Sequence, residues 1–204
     1  MPGRGRPDPA SAASSPQGVR AEKEGLMGRL DGARLREAVF GSQDGLVSTL
    51  GAITGIAAGT GSSGMVLLSG AVIVVVESLS MAAGSYLSSK SHRQYLEYQI
   101  RQGRGHDQGV CPDTLEEPAD NAWVMGTAYV AGGLIPVLPY AFLPIRAAMP
   151  VSIAGTAAAL FVIGFWKGRV VHQPRLRSGL EMLGIAGLAA IAGFVVGHLA
   201  GKVF

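Results

Sequence analysis

Residues Gly64 to Leu87 read GMVLLSGAVIVVVESLSMAAGSYL, an apolar run with no basic residue and a single carboxylate, Glu77, near its middle. A helix that spans a bilayer needs about 20 such residues. Glu77 is then out of place. A carboxylate at the bilayer centre costs about 3 kcal/mol on insertion scales and is retained where it has a use. The run therefore decides the fold class, and its one acid raises the question of function.

Outward from this stretch, four further segments lack Lys and Arg over a similar length: Ala38 to Thr60, Asn121 to Leu143, Ala148 to Trp166 (in which no basic residue falls), and Gly179 to Gly201. The pattern predicts an all-α integral membrane protein with five transmembrane helices. A chain that is 48% hydrophobic and only 15% charged agrees with that class. Of the 17 Lys and Arg residues, seven precede the first segment. Four more (Lys90, Arg93, Arg101, Arg104) lie between the second and third segments, and four (Lys167, Arg169, Arg175, Arg177) between the fourth and fifth. The opposite side holds only Arg146 and Lys202. By the positive-inside rule the N-terminus is cytoplasmic. The net charge of +3 then reports orientation and contact with anionic membrane lipids, and nucleic acid is not an expected partner.

Residues 1–35 are expected to form a disordered or interfacial cytoplasmic N-terminus. Met1 to Gln17 has no apolar core and no h-region of a secretory signal. From Glu22 to Glu37, Leu26, Leu30 and Leu35 alternate with charges, which suits either a short interfacial helix or a solvated linker. Residues 36–204 form the five-helix domain, with a short cytoplasmic loop at 88–120. The single cysteine, Cys111, falls in that loop and excludes an intrachain disulfide.

Small residues suggest how the helices pack. Gly51, Gly55 and Gly59 make two overlapping GxxxG steps on the first segment, and Gly193, Gly197 and Gly201 repeat them on the fifth. Such stripes let backbones approach in lipid, either within one chain or across a dimer, the latter being the expectation for Gly55. Pro136 and Pro139, inside GGLIPVLPY, should kink the third helix or break it into an irregular segment lining a cavity.

The intramembrane polar residues fall on matching faces. Glu77, Met81 and Gly84 share one helical face by their i, i+4, i+7 spacing; Asp44, Ser48, Gly51 and Gly55 share another. At 1.5 Å per residue, Asp44 and Met81 each lie about 9 Å from the cytoplasmic ends of their segments, with Glu77 one turn deeper. Two carboxylates beside a thioether suit a later divalent transition metal such as Fe²⁺, with Mn²⁺, Co²⁺ and Zn²⁺ as neighbours. A desolvated carboxyl can also exchange a proton for an arriving cation.

The blocks REAVFGSQDGLVSTLGAITGIAAG, ESLSMAAGSYLSSKS, GGLIPVLPY and SGLEMLGIAG, in this order, resemble the signature blocks of the vacuolar iron transporter (VIT) family. The resemblance implies a five-helix homodimer that exchanges cytosolic Fe²⁺, and often Mn²⁺, for protons along a path between subunits. It also implies that Asp44, Glu77 and Met81 line that path. The family's glutamate-rich cytoplasmic domain between the second and third segments has no room here. The connection from Ser88 to Asp120 holds His92, Glu97, His106, Asp107, Cys111, Asp113, Glu116, Glu117 and Asp120 without a regular repeat, as a solvated loop would.

Glu181 is placed either in an S-x-x-E capping box with Ser178 or at the cytoplasmic mouth as an accessory to the path, like Ser48. His198 is read as interfacial, and His172 lies in a basic loop. No nucleophile has a plausible base, so no enzyme is expected. The function expected is divalent-metal/proton antiport out of the cytosol, in a prokaryotic plasma membrane, with metal and protons as cargo and no resident cofactor. The alternatives are a non-transporting scaffold, in which the acids join helices, and a passive cation channel.

Overall fold

The computed structural model describes residues 16–102, 117–170 and 174–203, and the side chains within 32–102, 117–169 and 174–202. Among these residues there is no strand. Helix α1 runs from Pro16 to Thr60 without interruption. The stretch Glu22–Glu37 is therefore helical and continuous with the first apolar segment, with no proline separating the two. Residues 1–15 lie outside the described residues.

Gly61, at φ +63°, ends α1 in the left-handed region that glycine enters without a Cβ penalty. The Ser62 hydroxyl then accepts a hydrogen bond from Met65 N at 3.4 Å and caps α2, Ser63–Arg101. This short turn lays α2 antiparallel to α1. At 39 residues α2 is about 58 Å long, nearly twice the hydrocarbon thickness, so its C-terminal turns extend beyond the bilayer. The loop expected from Ser88 thus begins only after Arg101. Residues 88–101 contain no Gly or Pro to stop the helix, and on that extension Arg93 pairs with Glu97 at 3.1 Å and with Glu117 at 3.5 Å. The hydrogen bond that Arg93 donates to Glu97 holds the Arg93 pKa above its ordinary value. His106, Asp107, Cys111, Asp113, Glu116 and His172 lie outside the described residues.

Helix α3, Pro118–Val137, starts with proline at its first position, where no amide donor is needed. Leu138 stays helical at φ −53°, ψ −41°, and donates to Leu134 O at 3.0 Å. Pro139 opens the one-turn helix α4, Pro139–Phe142, and the chain becomes extended only at Leu143. Pro136 and Pro139 therefore sit in a nearly continuous helical run, and the irregular segment does not form. The Pro136 carbonyl accepts the buried Ser152 hydroxyl at 2.7 Å, one of the ways freed backbone groups are satisfied in lipid. Helices α5, Ile145–Val170, and α6, Arg175–Val203, complete the bundle.

Helices α2, α5 and α6 are each long and apolar enough to span a membrane. The chain is an integral membrane protein on that ground. Helices α1 and α3 pack most extensively against each other, and α1 packs next most on α6.

The two glycine stripes meet within one chain. A Cβ on Gly55 would come within 2.7 Å of Gly193 O, one on Gly59 within 2.8 Å of Gly197 O, and one on Gly201 within 2.7 Å of Gly59 O. On Gly193 and Gly197 it would overlap the carbonyls of Gly51 and Gly55. The expectation that the Gly51, Gly55, Gly59 stripe packs across a dimer is corrected: α6 of the same chain already occupies it. Gly84 is different. Nothing lies within 4 Å of its added Cβ among the described residues, so no neighbouring helix among them packs closely there.

A candidate metal path between three helices

Close backbone contact between α1 and α3 sets the site. Gly41 and Gly45 lie one turn apart on α1, and a Cβ on Gly41 would meet Met125 O at 2.6 Å. On Gly45 it would overlap the Tyr129 carbonyl, and on Gly132 the Ser42 carbonyl. These three glycines bring α3 close enough for the Tyr129 hydroxyl to reach between α1 and α2.

The Tyr129 ring is fully buried. Its hydroxyl donates to Glu77 Oε2 and lies 2.6 Å from Ser48 Oγ, which itself donates to Glu77 Oε2 at 2.9 Å. Glu77 is thus fixed from both neighbouring helices. An acid in an apolar helix is made tolerable in this way, since each donor offsets part of the lost hydration. Asp44 lies one turn from Ser48 on the same face of α1.

The Ser48–Glu77 contact also fixes the antiparallel register. Nearer the basic end of the two helices, the Ser85 hydroxyl donates to Glu37 Oε2 at 3.1 Å. Glu37 is only 7% exposed, and Arg36 pairs with its other oxygen at 3.0 Å. A cleft of about 610 Å³ opens here, lined by Glu37, Met81, Ser85, Ser89, His92 and Met125 among others. Above it Asn121 donates to Ser89 Oγ at 3.1 Å. From His92 to Glu77, α2 therefore presents oxygen, nitrogen and sulfur donors at nearly every turn.

The structure joins Ser48 to Glu77, and Asp44 on α1 and Met81 on α2 each lie one turn from that pair towards the basic end. Glu181 does not join them. Helix α6 begins at Arg175, so Ser178 is inside it and donates its amide to Pro174 O at 3.1 Å; the capping box is not formed. Glu181 instead pairs with Arg177 at 3.4 Å on an exposed face. His198 stacks on Phe194 with centroids 5.9 Å apart. Glu37, Tyr129, Met125 and Asn121 were not singled out from the sequence. Glu37 ends a charged flank in the sequence, and Tyr129 sits in a segment whose other signal is its prolines. Among the described residues no three His, Cys, Asp or Glu side chains converge on one point. One chain therefore offers a path of paired donors and no closed cage.

The VIT family model matches residues 35–108 and 103–198, two segments that meet at the connection between α2 and α3. "Vacuolar iron transporter 1" of Eucalyptus grandis is 26% identical, covering 80% of this chain and 85% of that protein. "Vacuolar iron transporter homolog 4" of Arabidopsis thaliana is 30% identical over 78% of this chain and 79% of its own length. "Vacuolar iron transporter homolog 2" of Oryza sativa subsp. japonica is 30% identical over 83% and 92%. The Eucalyptus alignment needs 212 positions to cover that share of this chain, whereas the Arabidopsis one needs 159. The longer relative thus carries sequence with no counterpart here, in keeping with the absence of the family's added cytoplasmic domain. With the match extending over most of its length and the fold all-helical, the chain belongs to the VIT family.

Proposed function

We propose that the protein is a divalent-metal/proton antiporter that moves Fe²⁺ or Mn²⁺ out of the cytosol. The observation that carries this reading is Glu77, an acid inside the most apolar long helix, held by Ser48 and Tyr129 and continued through Asp44 and Met81 to an open cleft. A carboxylate serving only to join helices would need no such opening. In the proposed cycle Glu37 and His92 receive the ion at the mouth. Met81 and Asp44 take it next, with the thioether favouring Fe²⁺ over harder ions. Glu77 gives up a proton as the metal arrives and regains one from the far side.

The working unit is a homodimer. Ser80, Gly84 and Ser88 are exposed on α2 at i, i+4, i+8, a small-residue stripe of the kind that lets helices approach in lipid. The same three residues line the cleft, so a partner placed there would add a second set of donors to a path that one chain leaves open. All five long helices span the membrane in this reading. The basic ends face the cytoplasm, and the membrane is a prokaryotic plasma membrane.

Metal uptake into vesicles with an imposed pH gradient tests the proposal, using wild type, Asp44→Asn, Met81→Leu and Glu77→Gln. Asp44→Asn should depress flux of every divalent ion. Met81→Leu should reduce Fe²⁺ flux more than Mn²⁺ flux. Glu77→Gln should make residual flux insensitive to the pH gradient, and a wild-type flux that ignored the gradient would indicate a channel. Full activity in well-folded Asp44→Asn and Glu77→Gln proteins would remove the acids from the mechanism.

A further inference from the structure

A second cavity, of about 310 Å³, lies between α1 and α5 at the basic end of the bundle. Its walls are mainly apolar: Leu35, Val39 and Phe40 from α1 face Trp166 from α5. Gly32 and Gln43 also line it, Arg36 and Lys167 add two cations, and no acid among the described residues joins them. Phe40 is 53% exposed and Trp166 55%, so the groove opens sideways, where acyl chains would lie. Lys167 makes no ion pair or hydrogen bond among the described residues. Arg36 gives one nitrogen to Glu37 at 3.0 Å in the neighbouring cleft. The remaining donors of its guanidinium are available, and its side chain is 72% exposed.

From this we infer that the groove is a binding site for an anionic phospholipid of the leaflet on the basic side, with Arg36 and Lys167 on its phosphate and the upper acyl chain against Phe40, Val39 and Trp166. Three features favour a lipid over a soluble anion. The cations stand at the level where α1 and α5 leave the apolar region. The wall below them is aromatic and aliphatic, which a free phosphate could not use. Trp is a residue that settles at the headgroup boundary, and basic pockets between helices on this side bind acidic headgroups. The site is separate from the metal path except for Arg36 and Phe40, which border both cavities.

The chain has two tryptophans, Trp123 and Trp166, so fluorescence can report the groove alone. Full-length Trp123→Phe protein is reconstituted in phosphatidylcholine vesicles containing low fractions of brominated phosphatidylglycerol or, separately, brominated phosphatidylcholine. Trp166 should be quenched by the anionic lipid with an apparent preference of roughly twentyfold, falling about fivefold for Arg36→Gln or Lys167→Gln and to near parity for both together. In the converse Trp166→Phe protein, Trp123, which is 75% exposed near the same end of α3, should show no such preference. Size exclusion of each variant checks folding. Equal quenching of Trp166 by the two lipids, an undiminished preference in the folded double variant, or an equal preference at Trp123 would each overturn the site. The readout uses no metal and no transport, so it stands or fails independently of the antiport proposal.

Discussion

Tyr129→Phe removes one oxygen from the centre of the path and leaves the buried ring in place. Because Tyr129 is fully buried, no bulk water can replace the lost donor. Glu77 Oε2 keeps only Ser48 Oγ, at 2.9 Å. A hydrogen bond to a charged acceptor is worth about 1.5–3 kcal/mol. Groups that orient a metal ligand typically change affinity by about 10–100-fold, which corresponds to roughly 1.4–2.7 kcal/mol. The two routes give the same magnitude. The expected result is a metal concentration for half-maximal flux raised about 10–100-fold, with the elution profile unchanged, because the aromatic volume is conserved. Ser48→Ala should act in the same direction. Since Ser48 Oγ is also 2.6 Å from Tyr129 Oη, the double variant should lose less than the sum of the singles. The assay is metal-dependent dye quenching in vesicles over a range of Fe²⁺ and Mn²⁺ at a fixed pH gradient. A folded Tyr129→Phe protein with the wild-type concentration dependence would refute the idea that this hydroxyl positions Glu77 for metal.

Gly197→Ala would press a methyl against the Gly55 carbonyl, so α1 and α6 must separate; overpacking of this kind costs about 1–3 kcal/mol. Thermal unfolding in detergent should show a lower midpoint with the oligomer fraction unchanged at low temperature, whereas dissociation without loss of stability would return the stripe to a subunit interface. Gly84→Cys in a Cys111→Ala background should form an intermolecular disulfide under mild oxidation if α2 meets its symmetry mate there. Only monomer, under conditions where a cysteine on the far face of α5 behaves the same way, would move the dimer contact elsewhere.

Much of this protein is legible in its sequence because lipid leaves few alternatives. Without water to satisfy the backbone, runs such as Gly64 to Leu87 have to be helical, and an acid such as Glu77 stands out against them. The i, i+4 spacing of Glu77 with Met81, and of Asp44 with Ser48, follows from helix geometry alone. Tertiary structure decided what periodicity cannot express. A glycine stripe specifies closeness but not the partner, and only the packed chain shows Gly55 against Gly193 in α6. Where a helix stops is likewise weakly encoded when no Gly or Pro intervenes, so α2 continues to Arg101 and α6 already includes Ser178. Tyr129 and Glu37 acquire meaning only through contacts distant in sequence, Tyr129 with Glu77 and Ser85 with Glu37. The physical reason is that a single helix fixes which residues share a face, whereas the register between helices depends on side-chain and backbone fit along their whole length. Here that fit rests on Gly41, Gly45 and Gly132, whose missing side chains let α3 approach α1 and bring the Tyr129 hydroxyl to the acid in α2.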